Sequence, residues 1–187
     1  MSTRDLVLVA LFAAIIVALG LIPPVSLGFI PVPVHAQSLG VMLAGVVLGA
    51  KRGTLTVALF MLLAAIGLPV LSGGRGGLGV FMAPPSGYLY GYLAAAFVTG
   101  YLSERFVNVG QTGFVQGTYF FVAALAGGVF ACHLLGVLWL AFVTGLGLPA
   151  AFMGTLAFIP GDALKALIAA FAGRAVMVGY PLLPQRA

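Results

Sequence analysis

The stretch RDLVLVALFAAIIVALGLI, residues 4–22, decides the class of fold. After Asp5 it carries no charge until Pro23–Pro24 end it, and it has about the 20 residues that a helix needs to cross a bilayer. The same character extends through the chain, which has 187 residues, 63% hydrophobic and only 6% charged, and a mean hydropathy of +1.23. Because a soluble domain could not bury so much apolar surface, the sequence predicts an all-α integral membrane protein.

Six segments have the composition of membrane-spanning helices, and irregular or charged stretches separate them. At about 20 residues a span, plus loops, the chain length fits a six-helix bundle that forms a single membrane domain over residues 1–187. We predict helices at about 4–22, 37–50, 53–68, 88–103, 113–139 and 150–178. Pro160–Gly161 is expected to interrupt the last helix, because proline removes a helical hydrogen bond.

The basic residues predict how the bundle is oriented. With six helices, most of them fall on the side of the two termini: Arg4, Lys51, Arg52, Arg105, Arg174 and Arg186. Cytoplasmic loops carry such an excess, so we place both termini in the cytoplasm, in a multi-pass protein of the cell membrane. The net charge of +5 is not gathered into a basic run, so binding of nucleic acid is not indicated.

Two long irregular segments, residues 23–36 and 70–86, then lie on the outer side. Both are mostly apolar and rich in proline or glycine, which cannot continue a helix. Irregular backbone at membrane depth is tolerated where it packs on protein or lines a cavity. We therefore expect the loops after helices 1 and 3 to cap an outward-facing ligand pocket.

The stretch FIPGDALKALIAA, residues 158–170, places Asp162 and Lys165 inside an apolar run. At a spacing of three they share one helix face, although a charge at the centre of a span costs about 2.5–3.5 kcal/mol. The pair is either a structural ion pair or a polar ligand site, and we favour the site because intramembrane ionisable residues usually mark one. An acceptor beside a donor suits a neutral amide- or urea-like head group.

The loop SGGRGGLG, residues 72–79, contains a literal G-x-G-x-x-G. It follows a membrane helix and not a strand, so a dinucleotide site is not indicated. We predict instead that Gly74, Gly76 and Gly77 let backbone N–H groups face a ligand. Arg75, the only charge in this loop, is either exposed on the outer surface or captures an anionic ligand tail.

Several other polar residues are candidates for the site. Ser86 and Tyr88 open a helix beside the glycine loop, and Tyr88 is suited to stack on a ligand. Gln37 starts a helix and either caps it or donates to a ligand. Cys132–His133 lacks the further ligands that a metal needs, so we expect His133 to be a hydrogen-bonded residue of the bundle. The chain has no P-loop and no HExxH, so it cannot itself hydrolyse ATP.

In order along the chain, several elements resemble those of the BioY family, the biotin-specific substrate-binding subunits of energy-coupling factor (ECF) transporters. They are GFIPVPVHAQ (28–37), GLPVLSGGRGG (67–77), PSGY (85–88) and FIPGDxxK (158–165). The resemblance covers nearly the whole chain. It implies six helices, an outward pocket closed by the loops after helices 1 and 3, biotin as the ligand and no cofactor.

The resemblance also implies roles for particular residues. The family carries an acid and a lysine on its last helix, which Asp162 and Lys165 match, and the neutral ureido ring of biotin fits the donor and acceptor described above. Some relatives have an arginine where this chain has Leu89, so Arg75 becomes the candidate partner of the biotin carboxylate.

An alanine ridge on the first helix matches the family's docking element for the transmembrane coupling subunit. Its members are Ala10, Ala14 and Ala18. From the residues alone such a ridge serves either internal packing or docking of another membrane subunit.

The expected function is high-affinity capture of biotin from outside, for import with the coupling subunit and two ATPase subunits. Three alternatives are open at this point. They are uptake of a different small vitamin, an intramembrane enzyme that uses Asp162 as base and Lys165 as nucleophile, and a bundle in which this pair only locks helices. We expect no enzymatic activity.

Overall fold

The structure is a computed structural model, and it describes residues 1–29 and 31–183. Its helices are α1 (Thr3–Gly20), α2 (Gln37–Ala65), α3 (Ser86–Phe106), α4 (Gly113–Ala124), α5 (Cys132–Thr144), α6 (Leu148–Thr155) and α7 (Ile159–Gly179). A π-helical segment, Leu125–Ala131, joins α4 to α5, and short 3-10 turns occupy Leu78–Phe81 and Leu156–Phe158. No β-strand forms within the described residues, and the prediction of an all-α fold is confirmed.

The element α2 is folded back on itself at Gly49. This glycine has φ 83° and ψ −176°, a conformation that only glycine adopts without strain. The ends of a straight helix of this length would lie roughly 40 Å apart. Instead, the Gln37 amide at its start donates to the carbonyl of Val70, beyond its end, at 2.9 Å. The sequence placed the division at Lys51–Arg52, a few residues later than the fold at Gly49.

A carboxylate from α3 stabilises this fold in α2. The backbone N–H of Ala50, which the turn leaves without a helical partner, donates to Glu104 Oε1 at 3.0 Å. Gly100 lets the two backbones approach, because a Cβ there would lie 2.3 Å from Ala50 N. Helix α3 therefore packs closely on both halves of α2, and its residues Ala95 and Ala96 are buried.

The outer surface of the bundle is apolar, as expected for contact with lipid. Large exposed side chains include Phe114, Phe130 and Phe142. Four segments are long and apolar enough to cross a membrane: Thr3–Gly20, Gln37–Ala65, Gly113–Thr144 and Leu148–Gly179. The tyrosine- and glycine-rich α3 is less apolar and lies largely inside the bundle.

The last long helix is broken just before the position that the sequence predicted. A 3-10 turn at Leu156–Phe158 ends α6, and α7 starts at Ile159 as a regular helix. Pro160 lies in the first turn of α7, where its missing N–H would have no helical partner anyway. Pro160–Gly161 therefore starts a helix here, and Asp162 falls in its first turn, where the helix dipole favours a negative charge.

Polar contacts gather at the end of the bundle where α2 folds back. Arg52 forms an ion pair with Asp5 of α1 at 3.5 Å and donates to the carbonyl of Leu182, after α7. Both terminal regions therefore lie at this end. The predicted basic residue Arg186 lies outside the described residues.

Candidate functional site

At the opposite end of the bundle, five parts of the chain surround one cavity. They are residues 32–38, 71–75, 80–92, 128–133 and 158–165. The cavity has a volume of about 80 Å³. A single water needs only ~10–15 Å³ by the same measure, so the space is not a packing defect. Its walls are mainly apolar and its floor carries charged and polar groups, which is the usual composition of a ligand site.

The floor is built around Asp162, which is buried. Its Oδ1 lies 2.8 Å from the Nζ of Lys165, and its Oδ2 lies 3.0 Å from the Nε2 of His133. The hydroxyl of Ser38 also donates to Oδ1, at 3.4 Å. Since a carboxylate has about four lone-pair positions, these contacts leave one for a ligand N–H.

Lys165 ties this floor to the segment that precedes α2. Its ammonium donates to the carbonyl of His35 at 2.8 Å and to the hydroxyl of Ser38 at 2.9 Å, in addition to Asp162. The three N–H groups of the ammonium are thereby all used. A ligand carbonyl that binds Lys165 must share or replace one of these partners, and the mobile hydroxyl of Ser38 is the easiest to displace.

Aromatic side chains form the walls. Tyr88 lines the cavity, with its ring edge-on to His133 and Phe158 at centroid distances of 5.7 and 6.1 Å. Its hydroxyl forms a hydrogen bond of 2.6 Å with Thr155. Gly136 provides the room for this ring, because a Cβ there would lie 2.4 Å from a ring carbon of Tyr88.

Gln37 lines the cavity, and its side chain forms hydrogen bonds within the chain instead of capping α2. The cap position of α2 is Ala36, and no side chain caps it. The Gln37 amide donates to the carbonyls of Ile16 and Val70, at 3.2 and 2.9 Å, and accepts from the N–H of Ser72 at 2.8 Å. Both amide hydrogens are therefore occupied, and the residue fastens the 68–77 loop to α1 and α2.

The glycine loop is only partly in contact with the cavity. Arg75 lines it and donates through Nε to the carbonyl of Ser72 at 3.2 Å. Within residues 1–29 and 31–183, no carboxylate lies within ion-pair distance of Arg75. The predicted Gly74, Gly76 and Gly77 are not among the residues that line the cavity.

The geometry of the loop explains these glycines. Gly74 and Gly77 have positive φ, at 69° and 87°, and a Cβ on Gly76 would lie 2.1 Å from the carbonyl oxygen of Leu68. The glycines make a tight turn, closed by backbone hydrogen bonds between Leu71 and Arg75, that places Arg75 at the cavity.

Ser86 lines the cavity at the start of α3, two residues earlier than the predicted helix start. Its hydroxyl lies 2.6 Å from the carbonyls of both Val80 and Ala83. This hydroxyl therefore holds the 80–83 segment, and its lone pairs can still accept from a ligand.

Three polar groups of the floor were not assigned to it from the sequence, and for the two histidines among them rarity was the available signal. His35 and His133 are the only histidines of the chain, and both line the cavity together with Ser38. His35 packs edge-on against Tyr92. Burial, and to a lesser extent the nearby charge of Lys165, lower the pKa of His35 to about 4, so its imidazole is neutral at physiological pH. His133 is a hydrogen-bonded residue, as expected, and its partner is the candidate ligand-binding acid.

The alanine ridge of α1 faces outward. Ala10, Ala14 and Ala18 are exposed, whereas Ala13 and Ile16 on the opposite face are buried. Of the two predicted uses, internal packing within this chain is therefore wrong, and the ridge is available to another molecule. Among the described residues no three His, Cys, Asp or Glu side chains are placed to hold a metal ion.

This arrangement, a helical bundle with an acid–lysine pair in an enclosed polar floor, can be compared with known proteins. A model described as the BioY family matches residues 1–181. The chain belongs to the BioY family. The resemblance predicted from the residues is thereby confirmed.

Relatives within the BioY family are close. The chain is 67% identical over 187 residues to "Biotin transporter BioY" of Rhizobium etli, with 100% of both chains covered. It is 47% identical over 182 residues to "Biotin transporter BioY" of Rhodobacter capsulatus, covering 92% of this chain and 93% of that one.

A solved structure supports the assignment of this chain to the BioY family. The crystal structure of the S-component for biotin from an ECF-type ABC transporter matches with a TM-score of 0.88 and 35% identity, covering 95% of each chain. The BioY fold is thus shared over almost its full length, including the helices that surround the cavity.

Proposed function

We propose that this chain is the biotin-binding subunit of a membrane vitamin-uptake transporter and captures biotin in the cavity described above. The observation that carries the proposal is the buried Asp162–Lys165 pair in the floor of that cavity, in a chain of the BioY family. The chain is a transporter subunit and not an enzyme, in keeping with the relatives named as biotin transporters.

The pair suits the ureido ring of biotin because that ring is neutral and carries both donors and acceptors. An N–H of the ring would donate to the open lone pair of Asp162, and its carbonyl would accept from Lys165 in place of Ser38. A ligand carboxylate would be repelled by Asp162, and a cation by Lys165, so the floor selects a neutral head group.

The rest of the molecule would lie along the aromatic and aliphatic walls. Tyr88, Leu89 and Tyr92 present apolar surface to the fused rings. Arg75 supports a site for the valerate carboxylate at the other end, since its guanidinium lies at the cavity without a carboxylate partner in the described part of the chain. The loops at 21–36 and 66–85 would then close over the bound ligand.

In the membrane, we propose six crossings with both termini in the cytoplasm. The crossings are α1, the two halves of α2, α3, α4 with α5, and α6 with α7. The fold at Gly49 supports the count, because it returns α2 to the end from which it started. The basic residues near that end, including Arg4, Lys51 and Arg105, support the orientation, and the cavity then opens to the outside.

The chain carries no ATPase motif of its own. We propose that it works with an ECF-type transmembrane coupling subunit and two ATPase subunits. The exposed ridge of Ala10, Ala14 and Ala18 supports a docking surface for the coupling subunit, since small residues let membrane helices approach closely.

A vitamin competition assay tests the proposal. Purified protein is loaded with radiolabelled biotin, and excess unlabelled biotin, riboflavin, thiamine or folate is added. Displacement by biotin alone is expected, and recovery of unchanged biotin after release is expected of a binding subunit. Displacement by another vitamin at lower concentration than biotin would overturn the assignment of the ligand.

A further inference from the structure

A π-helical segment, Leu125–Ala131, interrupts the long helix that runs from α4 into α5. In α4 the buried face recurs at Phe120 and Ala124. An uninterrupted α-helix, with 3.6 residues per turn, would continue this face close to residues 134 and 138. Yet Leu134 is 62% exposed and Leu138 is 48% exposed. The wider turn of the π segment therefore rotates α5 relative to α4.

The rotation brings a different set of residues inward. The buried face of α5 passes through Cys132, Gly136 and Leu140, and His133 lies beside it at the cavity. Segments with π geometry are rare and are found mostly at functional sites. A regular helix would bury two leucines, which cost nothing to bury, in place of a polar imidazole. Burial of an imidazole in place of two leucines indicates that the position of His133 matters for more than packing.

His133 is held firmly at the floor of the cavity. Its side chain is 11% exposed, and its Nε2 lies 3.0 Å from Oδ2 of Asp162. Its ring meets Tyr88 and Phe158 edge-on, at centroid distances of 5.7 and 6.2 Å. Aromatic neighbours on two sides leave the imidazole little freedom to rotate away from the carboxylate.

Asp162 needs this second contact to have a defined orientation. Rotation about χ2 of an aspartate is broad, so one partner does not fix the plane of the carboxylate. Lys165 holds Oδ1, and His133, on a different helix, holds Oδ2. With both oxygens held, the remaining lone pair of Asp162 points in one direction. The carboxylate can then accept a hydrogen bond from a ligand N–H without first changing its orientation.

We propose that His133 is a positioning residue for ligand recognition. It donates Nε2–H to Oδ2 of Asp162 and orients the carboxylate toward the N–H of the ureido ring. This inference rests on the proposed function, because it takes the ligand to be biotin. The π segment is the structural device that brings His133 to this position.

Binding by matched variants tests the inference on the full purified chain. His133→Leu removes the donor, and His133→Gln restores an N–H near the position of Nε2. Leu134→Val, at an exposed neighbouring position, is the control. We expect His133→Leu to bind labelled biotin about 10- to 100-fold more weakly than wild type, and His133→Gln to lie within about 3-fold of wild type. Equal affinity of His133→Leu and wild type would overturn the inference.

A spectroscopic measurement distinguishes a role of His133 in ligand recognition from a hydrogen bond that only stabilises the fold. It does not require His133→Leu to fold. The chain has two histidines, so protein labelled only at histidine ring nitrogens gives two sets of signals, and His133→Gln assigns them. We expect His133 to carry its proton on Nε2, and saturating biotin to shift that signal. A His133 signal that biotin leaves unmoved would overturn the inference while the proposed function stands. Wild type that fails to bind biotin would overturn both.

Discussion

The ammonium of Lys165 lies 2.8 Å from Oδ1 of Asp162, one turn earlier on α7, and 2.8 Å from the carbonyl of His35 in the segment before α2. The lysine therefore joins the floor of the cavity to the chain that borders its opening. A ligand group that takes a hydrogen bond from Lys165 competes with these partners, so binding at the floor and the position of the border are linked.

Arg75 is predicted to bind the carboxylate of biotin. Arg75→Gln should weaken binding of biotin by about 3- to 10-fold, as expected for a charge-assisted contact made by an exposed side chain. Biotin methyl ester, which has no carboxylate, should bind Arg75→Gln and wild type equally. Competition against labelled biotin measures both ligands. An equal loss for acid and ester would show that Arg75 acts through the loop and not through the carboxylate.

Gly49 is predicted to be essential to the fold of α2. Gly49→Ala should lower thermal stability strongly, because φ of 83° with ψ of −176° costs a non-glycine residue about 1–3 kcal/mol. In addition, the new Cβ would lie 2.0 Å from Oε1 of Glu104. Thermal unfolding in detergent checks this.

Gly117→Ala is the matched control for Gly49→Ala. Gly117 lies within α4, and a Cβ added there would meet nothing within 4 Å apart from its chain neighbours and the backbone of its own helix, so alanine should leave stability unchanged or raise it by up to about 1 kcal/mol. Similar melting curves for the two variants would contradict the assignment of a fold in α2 at Gly49.

The outward ridge of α1 is predicted to serve docking and not ligand capture. Ala14→Leu should leave the affinity for biotin unchanged, because Ala14 is exposed and is not among the residues that line the cavity. It should reduce co-purification with the coupling subunit and lower biotin uptake, since a leucine holds the helices apart. Phe114→Leu, exposed on α4, is the control. Loss of biotin affinity in Ala14→Leu would contradict a separate docking surface.

The stability of the protein is predicted to fall in mildly acidic solution through His35. Burial holds the pKa of His35 at about 4 in the folded state, below the ordinary value of 6.5. Between these values the unfolded chain binds a proton that the folded chain does not, so the free energy of unfolding declines as pH falls from about 6.5 to about 4 and levels off below. Because carboxylates also titrate in this range, the quantity to measure is the difference in the free energy of unfolding between wild type and His35→Gln as a function of pH. If this difference does not change with pH, the prediction is contradicted.

Much of the fold and the centre of the site could be predicted from the sequence. The apolar runs predict helices because a bilayer fixes the length of a span, and Pro23–Pro24 end α1 as expected. Asp162 and Lys165 could be identified because placing a charge in such an apolar run costs free energy, and such charges usually mark a functional site. Their spacing placed them on one face, and the structure has them in contact.

Other features depend on contacts between distant segments, which a single sequence does not show. Glu104 stabilises the turn in α2 from 54 residues away, and Gln37 fastens a loop more than 30 residues further along the chain. No change in hydropathy marks the π segment, since its residues are as apolar as those of the helices on either side. The inward turn of His133 could not be predicted for that reason. Pro160–Gly161 marked the break in the last helix to within a few residues, because a proline disrupts the turn that precedes it and can itself lie in the first turn of the next helix.

The central claim is that Asp162 and Lys165 bind the ureido ring of biotin and do not merely lock helices together. Removing one charge would leave the other buried without its ion-pair partner, so both should be replaced together, as Asp162→Leu with Lys165→Met. Equilibrium binding of labelled biotin to this double variant, with its folding checked by thermal unfolding, is the most direct test. The account predicts saturable, displaceable binding by wild type and a folded double variant whose affinity for biotin is lower by about 100-fold or more, on the order of 3 kcal/mol. A folded double variant that binds biotin as tightly as wild type would contradict it.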